Sequence, residues 1–227
     1  MYLYGASGHG KVIKEILEAQ GRKVDGFVDD NPELNELSGL PVIHSAASAD
    51  EVIVSIGFNS TRKKIVAKLD CKITEAAIHP SAIISGTAEI GEGSVVMAGS
   101  IINAEAIIGK HCIVNTGATV DHECVIGDYA HVAPGVHLCG QVQVGEGTLI
   151  GVGSSVIPCV HIGKWCVIGA GSVVISDIPD GYLAYGNPCK LKKIINESMI
   201  KTINLGGGKI VVISIAANHI KIWRVAA

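Results

Sequence analysis

The sequence predicts a small α/β unit followed by a three-sided parallel β-helix. Three observations predict it: an apolar residue every six positions, a glycine every eighteen, and a strand, glycine loop and helix at the start of the chain. Composition agrees with both parts. The chain has 227 residues with 28 Gly but only two Trp, five Tyr and two Phe, so its 48% hydrophobic content comes from Ile, Val and Ala rather than from rings. Glycine is typically about 7% of a chain, and a share well above that suits thin, repetitive β-structure with many turns.

Tyr2-Leu3-Tyr4 reads as a strand, Gly5-Ala6-Ser7-Gly8-His9-Gly10 as a loop, and Lys11 to Gln20, with Val12, Ile13, Ile16 and Leu17 on one side, as a helix. An apolar run at 24–28 ends in Asp29-Asp30, a loop runs through Pro32 and Pro41, a strand at 52–56 closes on Gly57, and a helix is expected from about Ser60 to Leu69. This is half of a Rossmann-type unit. Its glycines and helix N-terminus would face a phosphate, and the acidic pair some twenty residues on could accept ribose or sugar hydroxyls. The alternative for such a loop is a tight turn in a packing domain, but the strand-to-helix context favours nucleotide binding. About 75 residues supply roughly half of a dinucleotide fold, so a mononucleotide or nucleotide-sugar fits better than NAD.

From Ile78, stepping by six, the residues are Ile78, Ile84, Ile90, Val96, Ile102, Ile108, Val114, Val120, Ile126, Val132, Leu138, Val144, Ile150, Val156, Ile162, Ile168 and Val174. If such residues held about one position in three, an unbroken run of that length would arise with probability on the order of 10^-8. Lys72 and Asp180 end the array sharply. The fourth residue after each is mostly small, as at Ala106, Cys112, Ala118 and Cys124. Three hexads then make one coil. An apolar-Gly-charged triplet recurs every eighteen residues at Gly91, Gly109, Gly127, Gly145 and Gly163, which marks one corner as a column of turns where glycine is expected for positive φ. A sandwich or barrel of short strands would not keep this register.

After the array, 178–188 reads as a loop with Gly186-Asn187-Pro188, and Lys190 to about Met199 as a short helix. Beyond it lie Gly206-Gly207-Gly208 and an apolar strand-like run at 209–216. The expected division is therefore 1–75, a Rossmann-like nucleotide-sugar unit; 76–193, the β-helix; and 194–227, a tail without an assigned role.

Charge excludes other classes. With 17% charged residues and a net charge of −3, the chain lacks the basic footprint of a nucleic-acid binder. No run nears the roughly 20 apolar residues that span a bilayer, and MYLYGASGHGK has no signal-peptide layout, so no membrane insertion and a cytoplasmic location are expected. Seven cysteines without a C-x-x-C pair fit neither a disulfide framework nor a zinc ribbon; they read as reduced, mostly buried small residues.

A β-helix has an apolar interior, so its chemistry must lie on faces and turns. The informative stretch is 115–124, Asn-Thr-Gly-Ala-Thr-Val-Asp-His-Glu-Cys, which sets His122 and Glu123 in one turn with Asn115 upstream. An imidazole near its ordinary pKa of about 6.5 can act as a general base, and an adjacent carboxylate raises its basicity and holds one tautomer. Cys112, Cys124 and Cys166 stand at the small-residue position and read as core filler rather than nucleophiles.

The glycine loop, Asp29-Asp30, Gly57, Asp121-His122-Glu123-Cys124-Val125-Ile126-Gly127, His131-Val132 and Gly186-Asn187-Pro188 together resemble the hexapeptide-repeat acyltransferases. Within them they resemble the bacterial sugar acetyltransferases of the PglD/NeuD type, in which a Rossmann-like domain precedes a left-handed parallel β-helix. The resemblance covers residues 1 to about 193. It implies His122 as catalytic base with Glu123 enhancing it; Ser7, Gly8, His9, Asp29, Asp30, Gly57 and Asn115 as substrate-binding; and His131, Gly140, Val152 and Ala170 along an acetyl-CoA groove between neighbouring prisms. It further implies direct transfer of acetyl from acetyl-CoA, without a metal, to the amine of a UDP-4-amino-4,6-dideoxy sugar, as in bacillosamine-type glycan biosynthesis. The sequence departs from the pattern at Phe58 and Ser60.

Three alternatives accompany this expectation: a sialic acid O-acetyltransferase, a zinc lyase using His111, His122, His131, His137 or His161, and a non-catalytic nucleotide-sugar sensor. Flat faces and a groove with one wall per prism lead to the expectation of a homotrimer with sites between subunits.

Overall fold

The computed structural model describes residues 1–195 and, as backbone, three strands at 200–204, 210–216 and 219–225. The N-terminal unit is a six-stranded sheet in the order β3-β4-β2-β1-β5-β6, with β1 at Tyr2–Tyr4, β2 at Gly26–Val28, β3 at Glu36–Leu37, β4 at Leu40–Ile43, β5 at Glu51–Val54 and β6 at Lys72–Ile73. All pairings are parallel except β3 with β4. Helix α1, Gly8–Ala19, buries Ile13, Ile16 and Leu17 on one side, the spacing of an amphipathic helix. Helix α2 spans Asn59–Val66. The β3–β4 hairpin lies inside the segment expected to be loop. Its turn, Ser38-Gly39, has positive φ at both residues, the geometry that matches strand twist in a two-residue hairpin, and a Ser-Gly pair signals it weakly.

Seventeen two-residue strands follow, β7 (Ala77–Ile78) to β23 (Val173–Val174), and each ends on one of the seventeen apolar residues of the array. They stack in parallel with a register of eighteen into three faces. The first face begins with β7 and β10 (Val95–Val96), the second with β8 (Ile83–Ile84) and β11 (Ile101–Ile102), the third with β9 (Glu89–Ile90) and β12 (Ile107–Ile108). From Val96 to Val174 every array residue is buried. Each contributes roughly 1.5–3 kcal/mol relative to exposure. The small residues fill the interior between them. Among these, Ser94 and Thr148 donate their hydroxyls to the carbonyls of Gly109 and Gly163 and accept the N–H of Cys112 and Cys166, so the buried polar atoms are satisfied by the next coil.

The glycines at 91, 109, 127, 145 and 163 do not have the expected positive φ. A Cβ there would come within 2.5–2.7 Å of the backbone of the next coil. Their cause is close stacking of coils, not a left-handed turn. The left-handed positions lie two residues further on at that corner, and at corresponding places in the other two corners: Gly99, Gly117, Gly135, Gly153 and Gly171 between the first and second faces; Glu105, Glu123, Gln141 and Cys159 between the second and third; and Gly93, His111, Tyr129, Gly147 and Trp165 between the third and first.

The segment from Lys190, expected to be a short helix, begins instead as strand β25, Lys190–Ile194, antiparallel to β24, Tyr182–Tyr185. Leu191 and Ile194 have helical spacing, yet both are exposed, because the segment extends the first face as an edge strand instead of burying a helical stripe. The apolar tail run forms β27, Ile210–Ala216, between β26, Ile200–Asn204, and β28, His219–Val225, in an antiparallel sheet. Gly206-Gly207-Gly208 lies outside the described residues. Among the described residues no helix is long and apolar enough to cross a membrane.

Candidate functional site

The loops that follow β1, β2 and β5 meet at one edge of the N-terminal sheet. There the strand order turns from β1 to β2 on one side and to β5 on the other, the switch point at which open α/β sheets bind ligands. Gly5 has φ of +115°, and a Cβ on it would press into Ile56 and the Ser55 carbonyl; the Ser55 hydroxyl donates to the Gly5 carbonyl at 2.8 Å. Ser7 precedes α1 without capping it through its side chain, so the first N–H groups of the helix face the crevice. Around Gly8 and Gly57 a Cβ would meet nothing within 4 Å.

The acidic pair divides its work. Asp29 accepts the N–H of Ala6 on one oxygen at 2.9 Å and that of Asn31 on the other at 3.0 Å, tying the two loops together. Asp30 accepts the Tyr4 hydroxyl at 2.7 Å. Burial, followed by that hydrogen bond, pushes the Tyr4 phenol up to about 12.

The crevice is floored by the prism. Ala77, Val95 and Ile113, which point outward on the first face, join the core beneath α1. Next along that face His131 receives a hydrogen bond from Asn115, Nδ2 to Nε2 at 3.0 Å, and bonds the Gly57 backbone. Burial, then Arg62 and His9, pushes the His131 imidazole down to about 3. His9 is pushed down to about 4 by burial and Arg62, and its Nε2 is buried without a hydrogen bond.

Arg62 locks the two units. It is buried and donates to the carbonyls of His111, Ile56 and Tyr129 and to Asn59 Oδ1, all at 2.7–2.8 Å. Asn59 donates to the Gly147 carbonyl, Lys63 pairs with Glu146, and the Lys63 ammonium lies over the rings of Tyr129 and Trp165. Sequence reasoning missed Arg62 and Asn59. Nothing in a basic helix marks which cation will be buried, since partners 49 and 67 residues away decide it.

His122 stands at the corner between the second and third faces, its side chain 54% exposed. Its Nδ1 lies 3.1 Å from Glu123 Oε2, which leaves Nε2 as the atom that can take a proton. A Cβ on Gly140, one coil further, would fall 2.5 Å from this imidazole, so glycine makes the room in which the ring lies. Asp121 fixes the turn by accepting the His122 N–H and the Asn103 amide, both at 2.8 Å. Gln141 donates to Glu123 Oε2 at 3.0 Å. That bond, then His122, holds the Glu123 carboxyl below the usual range. Gln141 too was missed, though its place eighteen residues after Glu123 is the signal that would have found it.

The expected residues thus fall into three groups. His122, Glu123 and Gly140 share one corner. Ser7, Gly8, His9, Asp29, Asp30 and Gly57 line the crevice, with Asn115 and His131 below them. Val152 and Ala170, both exposed, stack in the corner between the first and second faces. Within a single chain Asn115 is not brought to His122, nor His131, Val152 or Ala170 to Gly140. Of the cysteines, burial pushes Cys112 up to about 12 and Cys124 to about 11. Among the described residues no three His, Cys, Asp or Glu gather as a metal-binding group.

Residues 1–69 match the PglD N-terminal domain, and residues 141–176 the bacterial transferase hexapeptide (six repeats). PerB from Caulobacter crescentus, solved with CoA and GDP-perosamine, is 40% identical with a TM-score of 0.80, over 85% of this chain and 96% of that one. The acetyltransferase domain of PglB from Neisseria gonorrhoeae, solved with acetyl coenzyme A, is 37% identical with a TM-score of 0.78, over 84% and 98%. The UDP-N-acetylbacillosamine N-acetyltransferase of Bacillus subtilis is 42% identical over 110 residues, 42% of this chain and 50% of that protein; the match spans half the length of this curated relative.

Proposed function

Because the chain belongs to the bacterial sugar N-acetyltransferases that join a PglD-type N-terminal domain to a hexapeptide-repeat β-helix, we propose that it transfers acetyl from acetyl-CoA to the amine of a UDP-4-amino-4,6-dideoxy sugar. The observation that carries the reading is the His122–Glu123 pair: a carboxylate on Nδ1 and a basic Nε2 on an exposed corner.

In this reading residues 1–75 hold the nucleotide-sugar and 76–193 perform the transfer. The α1 N-terminus with Ser7, Gly8 and His9 faces the diphosphate, Asp29, Asp30 and Gly57 border the nucleotide, and Asn115 faces the sugar, while His131 belongs with Gly140, Val152 and Ala170 along the acetyl-CoA groove. The amine nitrogen attacks the thioester carbonyl while His122 Nε2 takes its proton, which contributes about 10^2 to 10^4 in rate. The oxyanion that forms is held by the Gly140 N–H. Collapse of the tetrahedral intermediate expels the CoA thiolate, which recovers the proton from His122. Holding both reactants in one groove removes much of the entropic cost of meeting. Since Val152 and Ala170 occupy a different corner from Gly140, the groove takes one wall from each of two prisms. A homotrimer supplies three such grooves.

A GDP-linked amino sugar is the second reading, favoured by the relation to PerB over 85% of the chain. Incubation with acetyl-CoA and a panel of UDP- and GDP-4-amino-4,6-dideoxy sugars and sialic acid, reading thiol release, decides between them. Thiol release with a UDP-linked amine is expected, and acetylation of sialic acid alone overturns the N-acetyl reading.

A further inference from the structure

We propose that Gln141 is a positioning residue for the His122–Glu123 pair, holding the Glu123 carboxylate against His122 Nδ1 from one coil further along the prism. The inference rests on the acetyl-transfer reading and adds to it a residue that touches no reacting atom.

Glu123 is 48% exposed, and an exposed carboxylate on a flexible side chain holds one geometry only if something pins it. Gln141 does so by donating Nε2 to the same Oε2 that meets His122, at 3.0 Å. The Gln141 amide is itself oriented, because Cys159 donates its thiol to Oε1 at 3.2 Å. Flipping the amide would set its oxygen against the carboxylate and its N–H groups against the S–H. Glu123, Gln141 and Cys159 stand eighteen residues apart with φ of 57°, 61° and 61°, so their side chains leave the backbone in the same direction and follow the corner. The chain of contacts runs His122, Glu123, Gln141, Cys159. An oriented carboxylate keeps the Nδ1–H tautomer and stabilises the imidazolium that forms as the amine loses its proton.

Gln141→Met removes both hydrogen bonds at nearly unchanged volume, and Gln141→Ala also removes the volume. With the full chain, kcat and both KM values are measured between pH 5 and 9, and the His122 imidazole is titrated by NMR in the free protein. In both variants kcat is expected to fall roughly tenfold, a fraction of the 10^2 to 10^4 a general base supplies, with each KM within about twofold. The acid limb of the kcat profile and the NMR titration both move to lower pH. Wild-type kcat with an unmoved titration in Gln141→Met reduces Gln141 to a space-filler and overturns the proposal, as does a raised KM at constant kcat. Wild-type protein that acetylates no amine overturns the acetyl-transfer reading, a failure distinguishable from an active enzyme indifferent to Gln141.

Discussion

Two corners of the same prism solve one backbone problem differently. Between the first and second faces every left-handed position from 99 to 171 is glycine, whereas between the second and third faces the equivalent positions are Glu105, Glu123, Gln141 and Cys159. A non-glycine residue in this conformation costs roughly 1–2 kcal/mol. The glycine corner shows that the fold can avoid that cost. Polar side chains accept it repeatedly beside His122, the pattern expected if this corner is kept for the proposed acetyl transfer at some expense of stability. The corner between the third and first faces uses a mixture: His111, Tyr129 and Trp165 are large because α2 docks on them, and the intervening Gly93 and Gly147 make room for the rings of His111 and Trp165.

The largest expected effect tests the polar corner directly. His122→Ala should lower kcat/KM at least about a hundredfold while leaving the melting temperature within a degree or two, since the side chain is exposed. Activity at the wild-type level would show that this corner is not where the chemistry occurs. Glu123→Gly separates the two sides of the exchange. Activity should drop about tenfold, yet thermal stability should hold or rise by up to about 1 kcal/mol as the left-handed strain is relieved; lower stability would mean the carboxylate is structural. At the glycine corner Gly135→Ala is the smallest change. A Cβ there meets nothing within 4 Å, so only the strain acts, and a loss of roughly 1 kcal/mol with full activity is expected. Equal melting temperatures for Gly135→Ala and wild type would remove the energetic basis of the comparison.

The prism was legible in the sequence because its rule is local and repeats. Each coil meets the same neighbours, so Ile or Val at every sixth place can be read without knowing the fold. The proposed His122–Glu123 pair was legible because its two members adjoin. What escaped depended on contacts that periodicity does not carry. Arg62 is defined by the carbonyls of His111 and Tyr129 on another unit. The glycines at 91 to 163 were seen, but for the wrong reason, since sequence spacing does not separate a turn from a close approach of backbones. Gln141 was hidden because its partner is eighteen residues back, a neighbour only after the coil closes.

The stacked glycines at 91, 109, 127, 145 and 163 also make the prism a counter. A whole extra coil could be inserted and every later residue would return to its own corner, whereas one extra hexad would carry everything beyond it round by a third of a turn. His122 and Val152 are five hexads apart, one coil and two faces, and under the proposed function this count puts one wall of the shared groove on each side of a prism. Length between the walls is therefore under a constraint of phase, so that single-residue deletions in this stretch should be far less tolerable than substitutions.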